Sequence, residues 1–90
     1  MFIVVAYDIT DDRRRTRLHK RLKSYGTRVQ YSVFECLLNE RQLGEMKGMV
    51  RKTIHTKEDF VRYYSLCENC RANIKAINGQ VTDVQDTLVI

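Results

Sequence analysis

The sequence predicts an α+β fold in which one antiparallel sheet carries two helices on one face. Three observations support this prediction. A continuous apolar run near the start is typical of a central strand, two later segments have the periodicity of amphipathic helices, and the stretches between and after them are rich in β-branched and aromatic residues. The chain has 90 residues and no linker or low-complexity tract, so a single domain over residues 1–90 is expected.

The first strand is predicted over residues 2–7, an apolar run that ends abruptly at Asp8. An uninterrupted run of this kind indicates a strand that is covered on both faces. Asp8 is then the first polar side chain to emerge at the edge of the sheet, where folds often place their chemistry. A carboxylate close to arginines suits a divalent cation and a phosphodiester, because the metal binds oxygen ligands while guanidinium groups hold phosphate oxygens.

The first helix is predicted over residues 11–25. Thr10 can cap its N-terminus, Asp11 and Asp12 suit the positive end of the helix dipole, and Gly26 supplies a stop. Its apolar stripe is narrow, so one side is expected to pack on the sheet while the rest presents a basic surface. The basic residues of this segment are Arg13, Arg14, Arg15, Arg17, Lys20, Arg21 and Lys23.

Residues 28–38 are rich in strand-forming side chains but are too many for one strand. We therefore expect two short strands with a turn near Tyr31 and Ser32.

The second helix is predicted over about residues 40–54, where Asn39 and Gln42 can form a capping box. Gly44 and Gly48 lie one turn apart within it. Their missing side chains are expected to permit a close approach to the sheet, although each glycine costs ~1 kcal/mol relative to alanine.

Three further strands are predicted over residues 60–66, 74–77 and 87–90. An apolar strand at a chain terminus leaves an open edge, and pairing with a second copy of the chain closes it economically. Residues 79–90 are accordingly expected to form a loop and strand that pair in a homodimer. The order of the elements resembles a ferredoxin-like βαββαβ sandwich with a strand appended at the C-terminus.

Sixteen Lys and Arg residues against eleven Asp and Glu give a net charge of +5, which favours a polyanionic partner. No segment resembles a signal peptide or is long enough to cross a bilayer, so a soluble, cytoplasmic protein without membrane contact is expected. Cys36, Cys67 and Cys70 are expected to be free thiols. They provide too few ligands for a structural zinc site, which needs four.

Several motifs are spread over most of the chain. The first strand ends in Tyr7-Asp8 and leads into an arginine-rich helix, a Gln-x-Ser-Val-Phe-Glu stretch starts at Gln30, and an Arg-Tyr-Tyr strand starts at Arg62. Together they resemble the CRISPR-associated Cas-two (Cas2) family. The resemblance implies a homodimer that bridges two dimers of the Cas-one (Cas1) integrase and holds double-stranded DNA during spacer acquisition. It also implies an endonuclease that uses Mg²⁺ or Mn²⁺ to cleave double-stranded DNA or RNA, with single-stranded RNA as a further partner.

By position in these motifs, the resemblance makes Asp8 the metal-binding and catalytic carboxylate. The residues that it implies for cleavage or nucleic-acid contact are Tyr7, Arg15, Arg17, Arg28, Ser32 and Phe34. One carboxylate per chain is few ligands for a magnesium ion. A two-fold axis would supply a second carboxylate from the other chain of the dimer. Glu35 is a weaker second-ligand candidate, because it would point away from the face that Phe34 occupies.

Other interpretations remain open from the residues alone. Phe34 and the tyrosines are more often core or interface residues than base-stacking platforms in so small a domain. His19 and His55 are candidate general bases without an evident partner, and the arginines around His19 are expected to lower its pKa. Two alternative functions are a stand-alone ribonuclease toxin and a non-catalytic RNA-binding module, of which the latter lacks the expected Lys/Arg-Gly-Phe strand motif.

Overall fold

The computed structural model describes residues 1–77, which form a four-stranded antiparallel sheet and three helices. The elements are β1 (Phe2–Asp8), α1 (Asp12–Leu22), β2 (Thr27–Gln30), β3 (Val33–Leu37), α2 (Glu40–Thr53), β4 (Phe60–Leu66) and α3 (Glu68–Ala72). The strand order is β2-β3-β1-β4, and every neighbouring pair is antiparallel. This is the ferredoxin-like βαββαβ topology, so the predicted fold class is confirmed. The appended strand predicted over residues 87–90, within the segment 79–90, lies outside the described residues.

The core lies between the sheet and the two longer helices. Ile3, Val5 and Tyr7 of β1 are buried against it, and α1 and α2 close it with fully or almost fully buried apolar side chains. The other core residues are Ile9, Leu18, Leu22, Phe34, Cys36, Leu38, Met46 and Val50.

Cover on both faces of β1 was predicted, but within residues 1–77 only one face is covered. Val4 and Ala6 are only half-buried and Asp8 is exposed, because α1 and α2 pack on the same face of the sheet. We call the opposite side the open face. Strand pairing places the following residues on it: Phe2, Val4, Ala6, Asp8, Val33, Glu35, Leu37, Phe60, Arg62, Tyr64 and Leu66.

The first helix is shorter than predicted at both ends. Asp11, rather than Thr10, is the N-cap, and its carboxylate accepts a hydrogen bond of 2.9 Å from the Arg14 backbone N–H. The helix ends at Leu22, because the next residues form a tighter turn in which the Tyr25 N–H donates to the Leu22 carbonyl at 2.9 Å.

The second helix follows its prediction closely. Asn39 and Gln42 form the expected capping box, with reciprocal hydrogen bonds of 2.8 and 3.0 Å. The role expected for its glycines is wrong, since a Cβ added at Gly44 or Gly48 would meet nothing within 4 Å. Both residues face solvent rather than the sheet.

The tightest glycine contact occurs instead at Gly26, between α1 and β2. A Cβ added there would lie 2.5 Å from the Cys36 Sγ and 3.0 Å from the Cys36 Cα, and closer still to the Glu35 carbonyl oxygen. Gly26 therefore does more than end a helix: it lets the chain cross directly over β3.

The strand predicted over residues 74–77 is wrong. The chain after β4 instead forms the short helix α3 and a turn in which the Ile74 N–H donates to the Arg71 carbonyl at 3.1 Å. A short run that includes a lysine has little tendency to pair with another strand, and Ile77 is 92% exposed.

Within residues 1–77, no helix has the length and apolar character needed to span a membrane.

Candidate functional site

Asp8 is the last residue of β1 and lies on the open face, where it pairs across the sheet with the first residue of β4, Phe60. Its side chain is exposed, and no hydrogen bond or ion pair within residues 1–77 engages its carboxylate. The carboxylate is therefore available to a ligand. Its aromatic neighbour Phe60 is 69% exposed, so the surroundings are apolar on one side.

Tyr7 precedes Asp8 but points to the other face of the sheet, because successive side chains alternate along a strand. It is 6% exposed and stacks on Phe34 with 6.4 Å between ring centroids. His19 of α1 packs against the same Phe34 ring at 5.5 Å. Phe34 is fully buried, so in this structure it supports Tyr7 and His19 and presents no surface to a nucleic-acid base.

Two buried polar atoms in this cluster, the Tyr7 hydroxyl and the His19 Nδ1, have no hydrogen-bond partner among the described residues. Burial raises the pKa of Tyr7, and the charges of Arg28 and Arg15 offset part of that rise. Burial also lowers the pKa of His19, and the charges of Lys23 and Arg28 lower it further. The expected direction for the pKa of His19 is thus confirmed, with burial as the largest single cause.

Two of the arginines predicted to contact nucleic acid, Arg15 and Arg28, lie over the ring of Tyr31. This role of Tyr31 was not predicted from the sequence. The Arg15 Cζ lies 5.8 Å and the Arg28 Cζ 5.5 Å from the centroid of its ring. Arg15 also donates from Nη1 to the Ile9 carbonyl at 2.8 Å and forms an ion pair with Asp12. Arg15 is thereby held close to the end of β1, while Arg28 remains exposed.

Ser32 contributes through its backbone. Its carbonyl accepts a hydrogen bond of 3.1 Å from the Tyr7 N–H, which ties the β2–β3 turn to the end of β1. Its side chain is half-buried. The structure therefore brings Tyr7, Arg15, Arg28, Ser32 and Phe34 together on the helix side of the sheet and places Asp8 on the opposite face.

Arg17 lies apart from both groups on the solvent side of α1. Together with Arg13 and Lys20 it forms what we call the α1 stripe, with spacing that puts all three on one helix face. The stripe lines a shallow surface cleft of ≈ 410 Å³ with Asp12 and Thr16. None of its three cations forms an ion pair within the described residues.

Two other basic residues of α1 serve the fold instead. Arg14 hydrogen-bonds to the buried Asp59 and to Glu58, and Arg21 donates to the Thr53 hydroxyl at 2.7 Å. Nothing in the local sequence separates these from the exposed cations, because their partners lie more than 30 residues away in the chain.

A single chain offers little to hold a metal. Glu35 lies on the open face opposite Val4, four residues along β1 from Asp8, which corresponds to roughly 13 Å. It is 8% exposed, and its Oε1 lacks a hydrogen-bond partner in the described part of the chain. No cluster of three or more His, Cys, Asp or Glu side chains suited to a metal ion occurs within residues 1–77.

Comparisons with known proteins agree on one family. A family model described as CRISPR associated protein Cas2 matches residues 1–74. The CRISPR-associated endoribonuclease Cas2 3 of Chloroflexus aurantiacus is 50% identical over 66 residues, which are 73% of this chain and 71% of that protein.

Solved structures give the same result. The Cas2 structure from Streptococcus pyogenes is 29% identical with a TM-score of 0.79 and covers 87% of this chain and 100% of its own. A chain in a partial Cas6-RT-Cas1–Cas2 complex is 26% identical with a TM-score of 0.75, covering 89% of this chain and 88% of that chain.

Proposed function

We infer that this chain, which belongs to the CRISPR-associated Cas2 family, acts in spacer acquisition as a homodimer that binds double-stranded DNA and the Cas1 integrase. We further infer a metal-dependent endonuclease site at Asp8. The Cas1–Cas2 complex among the structural neighbours supports the integrase partner, and the endoribonuclease name of a relative supports the nuclease. The single observation that carries the nuclease proposal is the exposed Asp8 carboxylate, which no group of the described chain engages.

The proposed dimer is supported by the character of the open face. Three of its apolar side chains are substantially exposed: Phe60 at 69%, Tyr64 at 44% and Leu37 at 39%. Val4, Ala6 and Val33 between them are only half-buried. A sheet with its helices on one side needs a cover for such an apolar surface. A second copy of the chain, packed face to face, is the cover that we propose.

Such a dimer would also resolve the shortage of metal ligands. Magnesium is usually held by one or two carboxylates together with water and substrate phosphates. A two-fold axis near the end of β1 would add the Asp8 of the partner subunit to the Asp8 of this one, and these two residues would hold the ion. When bound, magnesium or manganese would neutralise charge on the phosphodiester and acidify the attacking water.

The α1 stripe is the surface that we propose for phosphate binding. Arg13, Arg17 and Lys20 are exposed and unpaired within the described residues, so they can neutralise phosphates without giving up an interaction within the fold. They would bind the backbone of the nucleic acid, which predicts binding with little dependence on base sequence and a steep dependence on salt. Arg15 and Arg28 would meet phosphate beside Tyr31.

The nuclease proposal is tested by comparing the unmodified protein with Asp8→Asn on single-stranded RNA and on double-stranded DNA, each with Mg²⁺, Mn²⁺ or EDTA. The unmodified protein is expected to cleave at least one substrate with metal, and Asp8→Asn is expected to fall to the level seen with EDTA. Glu40→Gln is the matched control, since it makes the same carboxylate-to-amide change at an exposed position on α2. Undiminished cleavage by Asp8→Asn, or no cleavage by the unmodified protein, would overturn the catalytic role.

The dimer is tested separately by light scattering coupled to gel filtration. Tyr64→Glu places a charge in the middle of the open face and should yield monomers. Tyr31→Glu adds the same charge at a position that is 66% exposed beside Arg15 and Arg28 and should leave the dimer intact. A monomeric unmodified protein, or a dimeric Tyr64→Glu variant, would contradict packing through this face.

A further inference from the structure

The segment that follows β4 contains two cysteines in close contact. Cys67 is the N-cap of α3, and its Sγ accepts a hydrogen bond of 3.4 Å from the Cys70 backbone N–H. Both cysteines are exposed and free. The third cysteine, Cys36, is buried in the core and 4.0 Å from the Met46 sulfur.

We propose that Cys67 and Cys70 form a reversible dithiol–disulfide pair, a modification site that reacts with small disulfides such as oxidised glutathione. Cys67 precedes the first turn of α3 and Cys70 lies on that turn, and the 3.4 Å from the Cys67 Sγ to the Cys70 backbone nitrogen puts the two side chains at the same end of the helix. A disulfide requires Cβ atoms about 3.5–4.5 Å apart, so closing the bond needs only a small movement. α3 contributes none of its five residues to the hydrophobic core, so the movement leaves the core in place; Arg71, next to Cys70, packs over the Phe2 ring with its Cζ 5.1 Å from the ring centroid.

The two thiols are not equivalent. The backbone N–H of Cys70 lowers the pKa of Cys67, and contact with the Cys70 thiol lowers it further. The pKa of Cys70 is raised, chiefly because its thiol hydrogen-bonds to Cys67. Since the thiolate is the nucleophile in exchange reactions, Cys67 is the cysteine that attacks first and Cys70 the one that resolves.

The reaction is ordinary thiol–disulfide exchange. The Cys67 thiolate attacks one sulfur of the external disulfide, whose S–S bond breaks and releases one thiolate while a mixed disulfide forms. The Cys70 thiol then loses its proton and attacks the Cys67 sulfur of that mixed disulfide, releasing the second thiolate. The two cysteines are oxidised by two electrons in total, and the external disulfide is reduced to two thiols.

A metal site explains the pair less well. Two thiolates supply half of a tetrahedral zinc site, and no third His, Cys, Asp or Glu joins them within residues 1–77.

The proposed disulfide lies far from the proposed catalytic carboxylate. Asp8 pairs with Phe60 at one end of β4, whereas the cysteines follow Leu66 at the other, roughly 20 Å away along the strand.

The proposal is tested by equilibrating the purified protein with glutathione buffers over a range of ratios of oxidised to reduced form, then quenching with acid, alkylating the remaining thiols and mapping peptides by mass spectrometry. A peptide that links Cys67 to Cys70 should accumulate as the buffer becomes more oxidising and disappear when it becomes reducing. Cys36 is an internal control, because burial raises the pKa of its thiol to about 11 and it should remain reduced.

Two variants separate the roles of the cysteines. Cys70→Ser should trap glutathione on Cys67 as a stable mixed disulfide, whereas Cys67→Ser should react more slowly at Cys70. Cys67 linked mainly to a second chain, glutathione on both cysteines without the linked peptide, or stoichiometric zinc in the purified protein would each overturn the proposal. Both cysteines are exposed, so thermal melts of the variants are expected to match that of the unmodified protein.

Discussion

The Arg14 Nε lies 2.9 Å from the Asp59 Oδ2, and this ion pair joins the start of α1 to the loop between α2 and β4. The Asp59 side chain is completely buried, whereas that of Arg14 is 22% exposed. Asp59 also accepts a hydrogen bond of 2.8 Å from the His55 backbone N–H. The carboxylate is thus satisfied on both sides, which is the condition under which a buried charge is tolerated.

Arg14→Gln is expected to destabilise the protein by about 3 kcal/mol, because it leaves the buried Asp59 carboxylate without its counter-charge. The measurement is urea unfolding followed by circular dichroism. Arg13→Gln is the matched control. The Arg13 side chain is exposed and unpaired in the described chain, so this substitution should change the free energy of unfolding by less than about 0.5 kcal/mol. Equal effects from the two substitutions would show that the ion pair contributes nothing.

The same pair predicts a dependence of stability on pH. Desolvation raises the pKa of Asp59, but the hydrogen bonds from Arg14 and from the His55 N–H outweigh it, so the pKa lies below its ordinary value. A lowered carboxyl pKa contributes stability that is fully present above the unfolded-state pKa of about 4 and is lost as the pH falls through the folded-state pKa.

The stability difference between the unmodified protein and Asp59→Asn should therefore be constant above about pH 5 and should shrink below about pH 4. Unfolding curves at a series of pH values measure it. Arg14→Gln should weaken the acid dependence in the same range. A difference that stays constant down to the lowest pH would contradict the role given to this carboxylate.

The three described glycines should respond in opposite directions to alanine. Gly26→Ala is expected to cost about 1–3 kcal/mol, because its Cβ would collide with backbone and side-chain atoms of β3 that are held in the sheet. Gly44→Ala and Gly48→Ala have open space around the new methyl group and should each stabilise α2 by about 1 kcal/mol. Thermal or urea unfolding of the three variants checks the sign, and a stabilised Gly26→Ala would contradict the close crossing.

The α1 stripe should contribute to DNA affinity in a salt-dependent manner. Arg17→Gln with Lys20→Gln is expected to weaken binding to a duplex and to reduce the slope of log K against log[salt] by about 1.8, which is 0.9 for each phosphate that the variant no longer neutralises. Fluorescence anisotropy over a salt series measures both quantities. The control pair Arg41→Gln with Lys52→Gln removes the same charge from α2, and equal weakening there would indicate general charge attraction rather than a specific surface.

Much of the fold could be predicted from local sequence. The apolar run of β1, the capping box of Asn39 and Gln42, and the turn between β2 and β3 are each determined by neighbouring residues, and the structure places all of them as expected. The errors came where the outcome depends on distant groups. The boundary at Leu22 and the absence of a strand over residues 74–77 are set by turns and packing that propensities do not describe.

Local sequence was enough to establish the order of helices and strands as far as β4, the excess of basic residues on α1 and the position of Asp8 at the end of a strand, because periodicity, capping and charge are local properties. The division of the basic residues among different roles depends instead on tertiary contacts. The tertiary structure turns Arg14 and Arg21 to internal partners, holds Arg15 and Arg28 beside Tyr31, and leaves the α1 stripe free. It also separates Asp8 from Tyr7 across the sheet. The physical reason is that each assignment depends on contacts between segments far apart in the chain, which come together only when α1 packs on the sheet.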